Sequence, residues 1–436
     1  MRPSWPEFSA RQRRRSGPME SALSGKSVRI TGVSGEGSDD CLKARRSILW
    51  IRRWSGIGFV LLTVFLVRAG SGLSVSTNGA LQRYGLPYRA LGVNFYDAFQ
   101  RALETEAGRE CDSGFALLEM RDIPFARFSA GGYWPVQWGL YQTNRFDYFS
   151  RLDAVVRSAE RHQIGLIPSL FWNLSTIPDL VGEPCNRWGD TNSKVHAFMK
   201  GYVREVVSRY RDSPAILAWE FGNEFTLAAD LPNAAEQRPR VAPSLGTPAD
   251  RTAADELTHD QIRIAFKAFA EAVRAQDSER LILSGNAFPR VSAWHQRKSR
   301  TWDKDTPEQF AEMLRDDNPD PMQALTVRAY EPSDLDRLDA AVRVGRTLRK
   351  PVFVGEFGVP GRPLPDQVAR FNALLTQLDD SGVSLAALWV YDFNAQSADW
   401  NVTAGNLRRV QLEAVATLNR KWRQESAKAA REPRGN

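Results

Sequence analysis

From about residue 88 onward, short apolar runs alternate with amphipathic helical patterns, and that alternation restricts the chain to very few folds. The runs cover residues 90–95, 124–129, 165–171, 216–221, 281–285, 325–330, 352–357 and 385–391. Helical patterns lie between them, among them 144–162, 192–210, 253–275 and 368–378, and a last one at 407–423 follows the eighth run. In the first of these, Phe146, Phe149, Leu152 and Val155 share one face, the spacing of an amphipathic helix. Strands that alternate with helices imply a parallel sheet. Eight such units can close into a (β/α)8 TIM barrel of the α/β class. An open doubly wound sheet would call for a glycine-rich phosphate loop after the first strand, and Gly92-Val93-Asn94-Phe95-Tyr96-Asp97 is not one. The barrel is expected over residues 88–424, with a charged tail at 425–436.

The pI near 9.4 does not describe this expected barrel. Residues 1–70 carry 13 Lys+Arg against 5 Asp+Glu, and the remainder carries 45 against 46. Positive charge is therefore confined to an N-terminal extension, and the folded part has no nucleic-acid footprint. Residues 1–46, rich in Arg, Ser and Gly, read as disordered. Residues 47–71 combine a basic flank, an apolar run from Trp54 to Val67 and small residues after it. A run of fourteen residues falls short of the roughly 20 that a spanning helix needs, so an export signal is the first reading and an anchor over 48–67 the second. Either way the rest of the chain is exported, periplasmic or extracellular, and touches a membrane only through this segment. In an oxidising compartment Cys111 and Cys185 are expected to form a disulfide.

Two of the strands end in glutamate-bearing stretches: Trp219-Glu220-Phe221-Gly222-Asn223-Glu224 and Val352-Phe353-Val354-Gly355-Glu356-Phe357-Gly358. A single strand-end glutamate fits a structural ion pair equally well. A pair, Glu224 and Glu356, at one face of a barrel is what glycosidic bond cleavage requires. Eight tryptophans fall at strand ends or in the loops after them, including Trp134, Trp172, Trp294 and Trp389, as expected for a cleft that packs indoles against sugar rings. Trp219 and Trp422 read as core. No histidine spacing suits a metal, and no cofactor is implied. His162 and His196 read as surface residues, and His295, beside Trp294, is the one histidine placed near a substrate.

Over residues 88–424 the chain resembles the glycoside hydrolase family 5 enzymes and their clan A relatives, the cellulase-like and mannanase-like retaining hydrolases. The stretch 199–224, with Tyr210, Pro214, Ile216 and then Ala218-Trp219-Glu220 ahead of Asn223-Glu224, is especially similar to the fourth-strand region of endo-mannanases and glucanases. The resemblance implies Glu224 as acid/base and Glu356 as nucleophile. Asn223 would bind the sugar 2-hydroxyl, Arg127 and Tyr330 would support the nucleophile, and Trp389 would form the platform beneath the sugar. Two positions depart from the family. Arg328-Ala329-Tyr330 replaces His-x-Tyr, and Phe171-Trp172-Asn173 stands where a histidine or asparagine pair is common. Trp172, Asn173 and Arg328 are nevertheless expected to line the substrate site, Arg328 contacting an acidic sugar or positioning the acid/base.

The expectation is a monomeric retaining β-glycoside hydrolase acting on a gluco- or manno-configured oligo- or polysaccharide. A catalytically impaired carbohydrate-binding protein on the same barrel, or a transglycosylase, are the alternatives.

Overall fold

The computed structural model describes residues 71–104, 109–330 and 333–431. The extension at 1–46 and all but the last residue of the segment at 47–71 lie outside the described residues. Among the described residues no helix is long and apolar enough to cross a membrane.

A small antiparallel sheet comes first: β1 (Leu73–Val75), β2 (Leu81–Arg83) and β3 (Leu86–Pro87). Eight parallel strands follow, β4 (Ala90–Asn94), β5 (Phe125–Ser129), β6 (Gly165–Phe171), β7 (Ala218–Gly222), β8 (Leu281–Leu283), β9 (Leu325–Ala329), β10 (Val352–Phe357) and β11 (Leu385–Leu388). Each pairs with its sequence neighbour, and β11 returns to pair with β4. Only β8 and β9 share no ladder. Side chains stitch that seam: Gln323 exchanges bonds with Ile282 (3.4 Å from its amide, 3.0 Å to its Oε1), and the Ser284 hydroxyl donates to Asn318 at 2.6 Å. The expected (β/α)8 barrel is the observed fold.

The helices begin where the sequence supplies caps. Asn144 accepts from the Asp147 amide ahead of helix Arg145–Arg161, and Ser193 accepts from His196 ahead of Lys194–Tyr210. Thr258 with Gln261 opens His259–Arg274, and Thr306 with Gln309 opens Pro307–Asp316; in both, side chain and backbone bond reciprocally. The last helix, Arg409–Arg431, runs through much of the expected tail.

Alternation along the strands sorts the barrel into layers. Outward residues such as Leu91, Trp219, Phe221, Val354 and Phe357 pack with the helices in the main core. Inward residues at the N-terminal end (Phe125, Ile167, Ala218, Leu283, Phe353 and Leu385) fill the barrel floor, which Leu73 and Leu81 of the first sheet cover. The first sheet went unread because strands of two or three residues are too short to show a period. Above the floor the inward positions turn polar, and aromatic residues cap them at the mouth.

Cys111 and Cys185 are separate buried thiols with no disulfide between them, contrary to expectation. Cys111 belongs to helix Arg109–Met120, packed on the helices beside β5, whereas Cys185 opens the turn Cys185–Gly189 packed on helix His259–Arg274. Each is held in place by its own element. Burial pushes the Cys111 thiol up to about 11 and Cys185 well above its usual range, so both stay protonated. His196, expected at the surface, is fully buried, its Nε2 donating to the Trp188 carbonyl at 2.7 Å.

Candidate active site

The polar layer is built around Arg127, the third residue of β5 and wholly buried. Its Nε donates to Glu220 Oε1 (2.7 Å). One Nη donates to Asn94 Oδ1 (2.9 Å) and Glu356 Oε1 (3.0 Å), and the other to Asn223 Oδ1 (2.8 Å). A charge this deep persists only when paired and hydrogen-bonded, and here it is both. Desolvation works against the guanidinium, but Glu220 and Glu356 more than offset it and push its pKa up further. The Arg127 guanidinium also lies over the Trp172 ring, 4.2 Å from its centroid.

Glu356 reaches this layer through an irregularity of β10. Phe353 points inward to the floor and Val354 outward to the helices, so strict alternation would turn residue 356 away from the interior. The register of β10 against β9 slips between Val354 and Glu356, with Gly355 as the extra residue. That bulge re-aims the carboxylate inward. Oε1 then meets Arg127 at 3.0 Å and Arg328 Nε at 3.3 Å, and Oε2 accepts the Tyr330 hydroxyl at 2.5 Å. Burial first, then the charges of Glu356 and Glu224, push the Tyr330 phenol well above its usual range, so it stays a donor.

Glu224 follows β7 in a left-handed conformation (φ 57°), with its amide donating to the Gly285 carbonyl at 2.9 Å. Gly285 itself has φ +76°, and a Cβ there would fall 1.9 Å from the Gly222 carbonyl oxygen. Only glycine fits this crossing of the loops after β7 and β8. Glu224 is half-buried, whereas Glu356 is 2% exposed, so the two carboxylates sit in distinct environments on one face.

Over them lies an aromatic group: Trp389, Trp172, Tyr96 and Phe393 with Tyr133, Tyr330 and Trp400 packed against it. Trp389 stacks on Trp172 (centroids 6.1 Å, planes 30° apart), and its ring nitrogen donates to Gln396 at 2.8 Å. Trp134 meets Tyr133 edge-on at the rim.

Other expected site residues are otherwise engaged. Asn173 donates to the Tyr133 carbonyl (3.1 Å) and accepts from the Ser175 amide, so it braces two loops. Trp294 is tied to Asp305 and Glu312, and His295 to Asp305, on the short helix Ala293–Ser299 outside the aromatic group. Trp138 and Trp188, though in loops, are wholly buried, with ring nitrogens on backbone carbonyls. Not every loop indole faces the cleft. Sequence reasoning missed Glu220 and Asn94 as site members. Their signal was parity: each sits an even number of residues from an inward floor residue of its own strand, Ala218 or Ala90.

A family model described as Cellulase (glycosyl hydrolase family 5) matches residues 131–394. A probable mannan endo-1,4-beta-mannosidase F of Neosartorya fischeri is 43% identical over 84 residues, which is 18% of this chain and 18% of that protein. Mannan endo-1,4-beta-mannosidase 7 of Arabidopsis thaliana is 30% identical over 177 residues, 35% of this chain and 41% of its own length. The chain thus spans less than half of either relative. Among solved structures, the endo-1,4-beta-mannanase of Rhizomucor miehei superposes with a TM-score of 0.58 at 16% identity, over 80% of this chain and 99% of that one, a likeness of fold.

Proposed function

Since the chain belongs to glycosyl hydrolase family 5, we propose that it is a retaining β-glycoside hydrolase with Glu356 as nucleophile and Glu224 as acid/base. The observation that carries this is the asymmetry of the two carboxylates. Glu356 is buried and held by the charges of Arg127 and Arg328 and by the Tyr330 hydroxyl, whereas Glu224 lies less buried on the loop that follows β7. A nucleophile is best held fixed by its partners, and an acid/base must be open to the leaving group and to water, and the two positions fit that division of roles.

In the first step Glu356 attacks the anomeric carbon while Glu224 protonates the leaving oxygen. A glycosyl ester forms on Glu356 and the aglycone departs. In the second step Glu224, now the base, takes a proton from water, which attacks the anomeric carbon and releases Glu356 as its carboxylate. This order calls for carboxyls about 5–5.5 Å apart. Asn223 would donate to the sugar 2-oxygen, and Trp389 with Trp172 would form the floor beneath the ring. A manno-configured, β-1,4-linked substrate is the first choice because the relatives bear mannanase names. We place the protein outside the cytoplasm, released or tethered by the apolar segment near its N-terminus, because of that segment's basic flank.

A screen of the purified protein against β-1,4-mannan, β-1,4-glucan, mannooligosaccharides and aryl β-glycosides tests the reading. Turnover of mannosides above glucosides is expected. A folded protein inert on every β-glycoside would overturn it and favour a binding role.

A further inference from the structure

The arginine that departs from the family pattern has a defined place in the network. Arg328 is 3% exposed, and the four N–H groups on its two Nη atoms are spent within the protein. Nη1 donates to the carbonyls of Asn286 and Val327, both at 3.1 Å. Nη2 donates to the Gly285 carbonyl at 2.7 Å and to Asn223 Oδ1 at 2.9 Å. Nε lies 3.3 Å from Glu356 Oε1. Of the five N–H donors of a guanidinium, four are bonded and the fifth, on Nε, is buried beside the Glu356 carboxylate, so the group turns no donor outward to an acidic sugar.

The backbone is shaped to receive this side chain. A Cβ at Gly355 would come within 2.1 Å of Arg328 Nη1, so the bulge that turns Glu356 inward is also the space in which the guanidinium sits. Charge is matched too. Arg328 would make the layer cationic beside Arg127 and Glu356 alone, and Glu220, wholly buried and bonded to Arg127, restores neutrality.

The consequence falls on Asn223. Its Oδ1 accepts from Arg127 at 2.8 Å and from Arg328 at 2.9 Å. An amide whose oxygen is held by two cations cannot flip, because turning Nδ2 toward two guanidinium groups would set donors against donors. We infer that Arg328 is a positioning residue: with Arg127 it locks the Asn223 amide so that Nδ2 alone is presented to the sugar 2-oxygen, and it touches no substrate itself. The inference rests on the function proposed above. It names what holds the 2-hydroxyl contact in register where the family's histidine is missing.

The test is a comparison of an aryl β-glycoside with its 2-deoxy analogue. A site built around that hydroxyl should favour the parent by roughly 10²–10⁴-fold in kcat/KM. Asn223→Ala should remove most of that preference. Arg328→Met and Arg328→Lys should each narrow it by about tenfold or more, through kcat more than KM. Arg328→Lys placed on Asn223→Ala should narrow it no further. Lysine keeps the charge and serves where methionine, which strands the Gly285 and Asn286 carbonyls, gives no cooperative thermal transition. An unaltered preference in a folded Arg328 variant would overturn the clamp and leave the hydrolase reading standing. A wild-type protein inert on both glycosides would overturn the hydrolase reading, and the clamp with it. A crystal structure of wild-type protein carrying a 2-deoxy-2-fluoro sugar on Glu356 supplies a check free of variants. Nδ2 of Asn223 should face C2, and a sugar atom within 3.5 Å of the Arg328 guanidinium would overturn the proposal.

Discussion

Removing the guanidinium of Arg127 would leave two buried carboxylates, Glu220 and Glu356, without their nearest counter-charge. Breaking a buried pair by deleting one partner costs about 3–5 kcal/mol, so Arg127→Met should lower the thermal midpoint sharply as well as abolish turnover. Glu356→Ala should reduce kcat by roughly 10⁴-fold or more on every substrate, since no ester can form. Glu224→Ala should be less severe on an aryl glycoside whose leaving group departs without a proton, and added azide should raise its remaining rate and yield a β-glycosyl azide. An α-azide from that variant would exchange the two roles. At this scale the sequence was informative where chemistry restricts the residue type. Glu224, Glu356, Asn223, Arg127, Tyr330 and Trp389 were picked out on that ground, and the structure joins Arg127, Asn223, Tyr330 and Glu356 in one hydrogen-bonded network. The cysteine pair was misjudged, and the bonds of Asn173 and Trp294 to neighbouring loops went unread, because each was read from its place in a loop and only tertiary contacts decide what such a side chain faces.

The β10 bulge is the element on which the site depends most. Filling it as Gly355→Ala puts a methyl 2.1 Å from Arg328 Nη1, so the arginine, the strand or both must move. Overpacking of this kind costs about 1–3 kcal/mol, and activity should fall much further than stability because Glu356 is displaced. Thermal melts beside kcat/KM would separate the two, and equal, small losses would argue against the bulge's role. Helix starts offer a milder control: Thr258→Ala should cost about 1 kcal/mol and leave kcat unchanged. All eight barrel strands were legible from apolar runs, with ends displaced by a few residues. The bulge was not, since a one-residue slip leaves the pattern of residue types intact and changes only which face they meet.

For the whole molecule, the segment just ahead of the first sheet and the approach to β7 are joined through Asp277 and Arg280. Asp277 accepts the Trp219 indole at 2.9 Å, and Arg280 reaches Ile216, Ser213 and Ser71. Burial alone would raise the Asp277 pKa, but the indole, the amides of Arg280 and Glu279 and the Arg280 charge hold it below the usual 3.8. A lowered carboxylate contributes stability above its unfolded pKa and loses it as pH falls through the folded value. Asp277→Asn should therefore melt well below wild type at pH 7, with a deficit that shrinks below about pH 3.8. A deficit independent of pH would mean the charge is not what matters. The fold as a whole was readable because eight apolar runs at helical separations leave almost no other topology. Polar closure of the seam between β8 and β9 lay beyond pattern, being made by single side chains. The central claim, double displacement through Glu356, fixes the configuration of the first product. Proton NMR during the first minutes of hydrolysis of a β-mannooligosaccharide should show the β-anomer appearing ahead of mutarotation, and an initial α-anomer would contradict the account.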